Sequence, residues 1–212
     1  MSIAGAAFLQ ALMRPRLVFD IDGTLGFLTE AFCTALNARW GTSFQAWQMS
    51  HYRVEDQLPP EQANWLLQVF ATSVTYANVA PDYSGIAAVQ AFARTGYEII
   101  VASDRAEDCR DVTEDWLARW RVPHDAVRLG HDAKAQLAAS AGPDDPLVLF
   151  DDDPEKFTLL APGVRIYMPR RPWTPAEIPP GVTVFDEWSG VLEAFGVSSD
   201  VPIPQFSRMA TT

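Results

Sequence analysis

Cysteine is nearly absent from this chain: Cys33 and Cys109 are the two present in 212 residues, and no CxxC pair occurs. Neither a disulfide framework nor a structural zinc site is suggested, and a reducing cytoplasm fits best. Basic residues are also scarce, with 16 Lys and Arg against 27 Asp and Glu and a formal net charge of −11. A broad polyanion-binding surface is therefore not expected, so no stable nucleic-acid complex is either, although a local basic pocket for one small anion is compatible with the balance. His51, His124 and His131 are the three histidines. None has metal-site spacing, and none is given a catalytic role. No apolar run reaches the roughly 20 residues needed to span a bilayer, and no membrane association is expected. In the leader MSIAGAAFLQALMRPR the charges of Arg14 and Arg16 follow the apolar stretch, the reverse of a secretory signal.

What is present is ordinary globular composition, 48% hydrophobic, in a length that suits one good-sized domain, or a core plus a small accessory. Apolar runs occur at 17–21, 98–102, 126–129, 147–150, 164–168 and 182–185, several of them β-branched and unalternating. Such runs are expected of strands covered on both faces, as in a parallel sheet. Between them lie helical patterns. Ile86, Val89, Phe92 and Ala93 share a face, with Ser84 expected as N-cap and Gly96 as the stop. Cys109, Val112, Trp116, Leu117 and Trp120 form a second stripe, expected in the core. The reading is an α/β, doubly wound, mainly parallel Rossmann-like fold.

The interval from Thr24 to the second strand is far longer than an ordinary connection. Leu28, Phe32, Leu36 and Trp40 recur every fourth position before Gly41, and Pro59-Pro60 open a second pattern through Trp65, Leu66, Val69 and Phe70. A helical cap over 26–80 is expected, inserted into a discontinuous core of 14–25 and 81–197. The leader, 1–13, reads as a short helix or arm, and the tail, 198–212, as a flexible segment.

The chemistry is concentrated at strand ends. In RLVFDIDGTLGF the first apolar run ends in Asp20 and Asp22, followed by Gly23, which permits a sharp turn. Two carboxylates so close suit a hard divalent cation such as magnesium, although aspartates can also merely cap a turn. LVLFDDDPEKF repeats the device with Asp151, Asp152 and Asp153; alone, such a stretch is more often a solvated turn. Ser103 ends another run in EIIVASDRAED, where its hydroxyl and the N–H groups of a following helix can receive a phosphate oxygen or simply form a cap. Lys134, in HDAKAQLAAS, opens a helix between the Ser103 and Asp151 strands, placed to neutralise a phosphoryl group.

Asp-Ile-Asp-Gly-Thr at 20–24, the strand ending in Ser103, Lys134 and the strand ending in Asp151-Asp152 resemble, in order, the four motifs of the haloacid dehalogenase (HAD) superfamily of phosphohydrolases. Softer likenesses, HYRVEDQL, ASDRAEDCRDVTEDWLARWRVPHDAVRLG and RRPWTPAEIPPGVTVFDEWSGVLE, are to its 5′(3′)-deoxyribonucleotidase group and bacterial relatives. The third acidic residue of DDDP departs from them.

The resemblance implies a magnesium-dependent phosphomonoesterase. Asp20 would be the nucleophile and Asp22 the general acid and base. Magnesium would be held by Asp20, the Asp22 backbone carbonyl and Asp152, with Asp151 second or water-mediated. Ser103 and Lys134 would be catalytic too, stabilising the negative transferring group, and Gly23, Thr24, Ser103, Asp104, Arg105 and Lys134 would bind phosphate or substrate. The favoured partner is a small phosphorylated substrate, a nucleoside monophosphate, and the protein would act as a monomer or homodimer. A nucleobase would stack on some of Phe27, Trp40, Trp47, Trp65, Phe70 and Tyr76, most of them belonging to the cap's own core. Arg170 and Arg171 can grip phosphate or base, with a solvated loop the blander reading. Two alternatives stay open: a nucleic-acid 3′-phosphatase of the same superfamily, and a non-catalytic regulator that binds a phosphorylated ligand.

Overall fold

The computed structural model describes residues 15–70 and 73–198; the expected leader and all but the first residue of the expected tail lie outside them. The six apolar runs become β1 (Arg16–Phe19), β2 (Ile99–Ser103), β3 (Ala126–Leu129), β4 (Leu147–Phe150), β5 (Val164–Pro169) and β6 (Val182–Phe185). They form one sheet in the order β3-β2-β1-β4-β5-β6, every pair parallel. The absence of alternation in the runs has its reason here. Leu17 and Phe19 of β1 enter one apolar cluster and Val18 the other; β2 and β4 divide in the same way. Both faces of the central strands are thus covered, and Phe19 stacks on Phe150 across the β1–β4 pair at 4.4 Å between ring centroids.

The helices in chain order are α1 (Leu28–Trp40), α2 (Pro60–Phe70), α3 (Ser73–Ala77), α4 (Tyr83–Arg94), α5 (Arg110–Arg119), α6 (Ala133–Ala139) and α7 (Trp188–Ala194). The larger cluster takes Val89 and Phe92 of α4, Trp116 and Leu117 of α5 and Val191 of α7. The opposite face takes Ala138 of α6.

α1, α2 and α3 fall between β1 and β2, where a separate cluster is built on Phe32 and Leu36 of α1, Leu66 of α2 and Val54 of the stretch between them. α1 ends at Gly41 in the left-handed region, φ 65°. The side chains of Val69 and Phe70 lie outside the described set.

Two local expectations are corrected. The N-cap of α4 is Asp82, not Ser84: its carboxylate accepts from the N–H groups of Ser84 and Gly85 at 3.0 and 3.1 Å, so Ser84 is already inside the helix. After Ser103 the chain bends, and helical structure begins only at Glu107. The N–H that reaches the Ser103 hydroxyl is that of Arg105, at 3.4 Å. Among the described residues, no helix is long and apolar enough to cross a membrane.

Candidate active site

Strand order reverses at β1: β2 and β3 extend the sheet to one side of it and β4 to the other. A parallel sheet opens a crevice beyond the strand ends at such a point. Phe19 pairs with Phe150, so Asp20 and Asp151 leave the sheet side by side, with Asp20 N–H on the Phe150 carbonyl at 2.9 Å. Ile21 O then accepts from the N–H groups of Leu25 and Gly26, closing a tight turn around Gly23.

Gly23 has φ +84°, and a Cβ there would lie 2.2 Å from Asp152 Oδ2. Only glycine satisfies both conditions. Gly23→Ala is expected to cost about 2–5 kcal/mol, the left-handed penalty plus overpacking. Denaturant unfolding measures it, and a loss below about 1 kcal/mol would contradict the reading.

The floor of the site is a buried charge network. Lys134 Nζ lies 2.7 Å from Asp20 Oδ1, 2.7 Å from Asp151 Oδ2 and 3.5 Å from Asp104 Oδ1. Lys156 joins Asp104 at 2.7 Å to Asp153 at 3.2 Å. Arg105 grips Asp22 with two bonds of 2.7 Å, reaches Thr113 at 3.3 Å and lies over the Tyr76 ring at 4.2 Å. Burial works against the charge of Lys134, but Asp151, Asp20 and Asp104 outweigh it and hold the ammonium well above its usual range. Asp104 shows the complementary balance: burial would raise it, yet Lys134 and Lys156 bring it below the ordinary carboxylate value.

Asp152 differs from its neighbours. It is buried, and no ion pair to it is found among the described residues. Burial first, and Asp151 second, push its carboxyl up to about 8. Oxygens of Asp20, Asp151 and Asp152 lie within 4.8 Å of one another. Asp20, Asp22, Asp104, Asp151, Asp152 and Asp153 also outnumber the cations around them, Lys134, Lys156, Arg105 and Arg171. Hard oxygen donors and an excess of carboxyl groups over cations fit a divalent cation such as magnesium.

The structure brings together Asp20, Asp22, Gly23, Ser103, Asp104, Arg105, Lys134, Asp151 and Asp152 around one cavity of about 330 Å³. Thr24 sits just behind, its hydroxyl 3.5 Å from Asp152 Oδ1. Arg105, expected on phosphate or base, is committed to Asp22. Arg170 is the solvated residue of its pair, bonded to exposed Asp186 at 2.6 Å. Arg171 is not: its Nε donates to the Gly23 carbonyl at 2.8 Å.

Of the six aromatics singled out for stacking, Tyr76 lines the cavity. Trp40 and Trp65 pack edge to face on each other at 4.9 Å, and Trp47 is 72% exposed. The cavity wall instead takes Leu28, Phe32, Tyr52, Leu67 and Trp173, which the sequence did not single out as lining residues. RRPWTP offered the only signal for Trp173, and nothing in the local pattern separated Lys156 from ordinary surface lysines.

No family model matches the chain, and no curated protein does either. Solved structures do. A predicted phosphoglycolate phosphatase from Haemophilus somnus 129pt aligns with TM-score 0.57 at 13% identity, over 86% of this chain and 98% of that one. CbbY from Rhodobacter sphaeroides, in complex with phosphate, gives 0.54 at 16% identity, over 84% and 96%. A HAD family hydrolase from Deinococcus radiodurans R1, with bound phosphate and sodium, gives 0.54 at 13% identity, over 88% and 99%. The chain shares the fold of these proteins along nearly their whole length.

Proposed function

We propose that the protein is a magnesium-dependent phosphomonoesterase of the HAD type that hydrolyses a nucleoside monophosphate through a phosphoryl group carried on Asp20. The observation that carries this reading is the meeting of Asp20, Asp22, Ser103, Lys134, Asp151 and Asp152 in one cavity at the sheet's point of reversal. The shared fold of solved HAD hydrolases supports it. The cavity is of small-molecule size, and its wall of Leu28, Phe32, Tyr52, Leu67, Tyr76 and Trp173 suits a flat nucleobase above a charged floor.

Asp20, held by Lys134, attacks phosphorus and forms an acyl phosphate as the alcohol oxygen departs. Asp22 delivers the proton to that oxygen and takes one from the water that later attacks phosphorus. One of its two bonds to Arg105 must open for it to carry that proton. Lys134 and Ser103 receive the charge on the transferring group. Magnesium, held by Asp20, Asp152 and the Asp22 carbonyl with Asp151 behind, would supply charge neutralisation at the phosphoryl oxygens.

The test is phosphate release, with and without magnesium, from ribo- and deoxynucleoside 5′- and 3′-monophosphates, sugar phosphates and a 3′-phosphorylated oligonucleotide. Magnesium-dependent turnover of mononucleotides is expected, with little sensitivity to salt. Turnover only of sugar phosphates or of the oligonucleotide would overturn the substrate, and no turnover would overturn the activity.

Magnesium binding should also depend on pH. With its carboxyl near 8, Asp152 is protonated at neutral pH in the metal-free protein, so binding releases a proton. A carboxyl raised on folding gives stability that is present below its unfolded value and lost as pH rises through about 8. Metal reverses that loss. The rise in melting temperature on adding magnesium is expected to be larger at about pH 8.5 than at about pH 6.5. An equal rise at both would contradict the assignment of Asp152.

A further inference from the structure

Trp173 belongs to two parts of the molecule at once. It follows β5, outside the insert between β1 and β2, yet its ring is 8% exposed and packs with Phe32, Leu36, Met49, Val54 and Leu66 of the insert's apolar cluster. Its indole N–H points the other way, 3.1 Å from Asp152 Oδ2 and 3.1 Å from the Asp152 carbonyl oxygen. Two residues earlier, Arg171 holds the Gly23 carbonyl at 2.8 Å. The short segment 171–173 therefore touches both acidic turns of the site.

Little else orients the Asp152 carboxylate. Thr24 Oγ1 approaches Oδ1 only at 3.5 Å, and Gly23 offers a bare Cα beside Oδ2. Asp151 and Asp153 repel it; Arg171 and Lys134 attract it, but neither makes an ion pair with it. A lone N–H donor on a buried carboxylate decides which oxygen stays free for a cation, and a ring wedged in an apolar cluster cannot swing that donor away.

We infer that Trp173 is a positioning residue for Asp152, its indole N–H fixing the carboxylate in the orientation that receives magnesium. This rests on the metal reading of the preceding subsection. A tryptophan retained only for packing would leave metal binding indifferent to its N–H.

Trp173→Phe keeps an aromatic ring in the cluster and removes the donor. Calorimetric titration of metal-free protein with magnesium is expected to show binding weakened about 10- to 100-fold. The variant should stay folded, with the smaller ring and the lost hydrogen bond lowering its metal-free melting temperature. In wild-type protein labelled with ¹⁵N-tryptophan, the Trp173 indole resonance should follow the magnesium isotherm while that of exposed Trp47 stays in place. This second measurement decides the matter if the Phe variant does not fold, with Trp173→Tyr then used for the assignment. A folded Phe variant binding magnesium within about twofold of wild type, or an unresponsive Trp173 indole, would overturn the inference and leave the metal reading standing. Wild-type protein that binds no magnesium would overturn both.

Discussion

Asp20→Asn is expected to lower magnesium-dependent phosphate release by on the order of 10⁴- to 10⁶-fold, the scale of losing a covalent nucleophile. The amide is nearly isosteric, so the cavity keeps its shape while the attacking oxygen loses its charge. Stability should hold or rise. Burial, with Asp151, Asp22 and Asp152 behind it, outweighs Lys134 and keeps the Asp20 carboxyl well above its usual range. Ionising such a group costs stability as pH rises, and asparagine has no such cost. Lys134 still has Asp151 at 2.7 Å. An Asp20→Asn protein that retains a tenth of wild-type turnover would place the nucleophile elsewhere.

Lys134→Met should act in the opposite way on stability. The lysine side chain is 4% exposed and pairs with Asp20 and Asp151, themselves 5% and 1% exposed. Removing it strands two buried carboxylates, and breaking a buried pair by deleting one partner costs about 3–5 kcal/mol. Denaturant unfolding near neutral pH should show that loss together with loss of turnover. The deficit should shrink as pH falls, because protonating Asp20 removes a stranded charge. A change under about 1 kcal/mol would mean that the network is held together by something other than this ammonium. One contact, Lys134 to Asp20, thus predicts a stable dead variant from one side and an unstable one from the other.

The sheet was legible because central parallel strands are apolar on both faces, and an unalternating run such as LVLF has few other uses in a chain of this composition. The carboxylates were legible because burial opposes them: an acidic residue directly after such a run needs a reason. Asp151 and Asp152 look equivalent in sequence. Geometry separates them, since Asp151 is taken by Lys134 at 2.7 Å and Asp152 has no ion pair among the described residues.

What was illegible depends on contacts distant in sequence. Arg170 and Arg171 are neighbours with the same local pattern, yet one bonds exposed Asp186 and the other the Gly23 carbonyl. Both lie past the end of β5, where no strand period fixes the direction of a side chain, and only the packed fold says which faces the site. The aromatics follow the same logic. Trp40 and Trp65 answer to each other across α1 and α2, whereas Tyr52 and Trp173 reach the cavity from segments whose approach no local period encodes. Arg105 was found as a cation near the site. Its partner, Asp22, lies 83 positions away in sequence, beyond any local pattern.

The most direct test of the account is to trap the phosphoryl group. Protein mixed with a ³²P-labelled nucleoside monophosphate and magnesium, quenched in acid during turnover and mapped by peptide, should carry an acid-stable, hydroxylamine-labile label on the peptide containing Asp20. That label should be absent without magnesium and absent in Asp20→Asn. Turnover with no covalent label, or a label on any other residue, would contradict it.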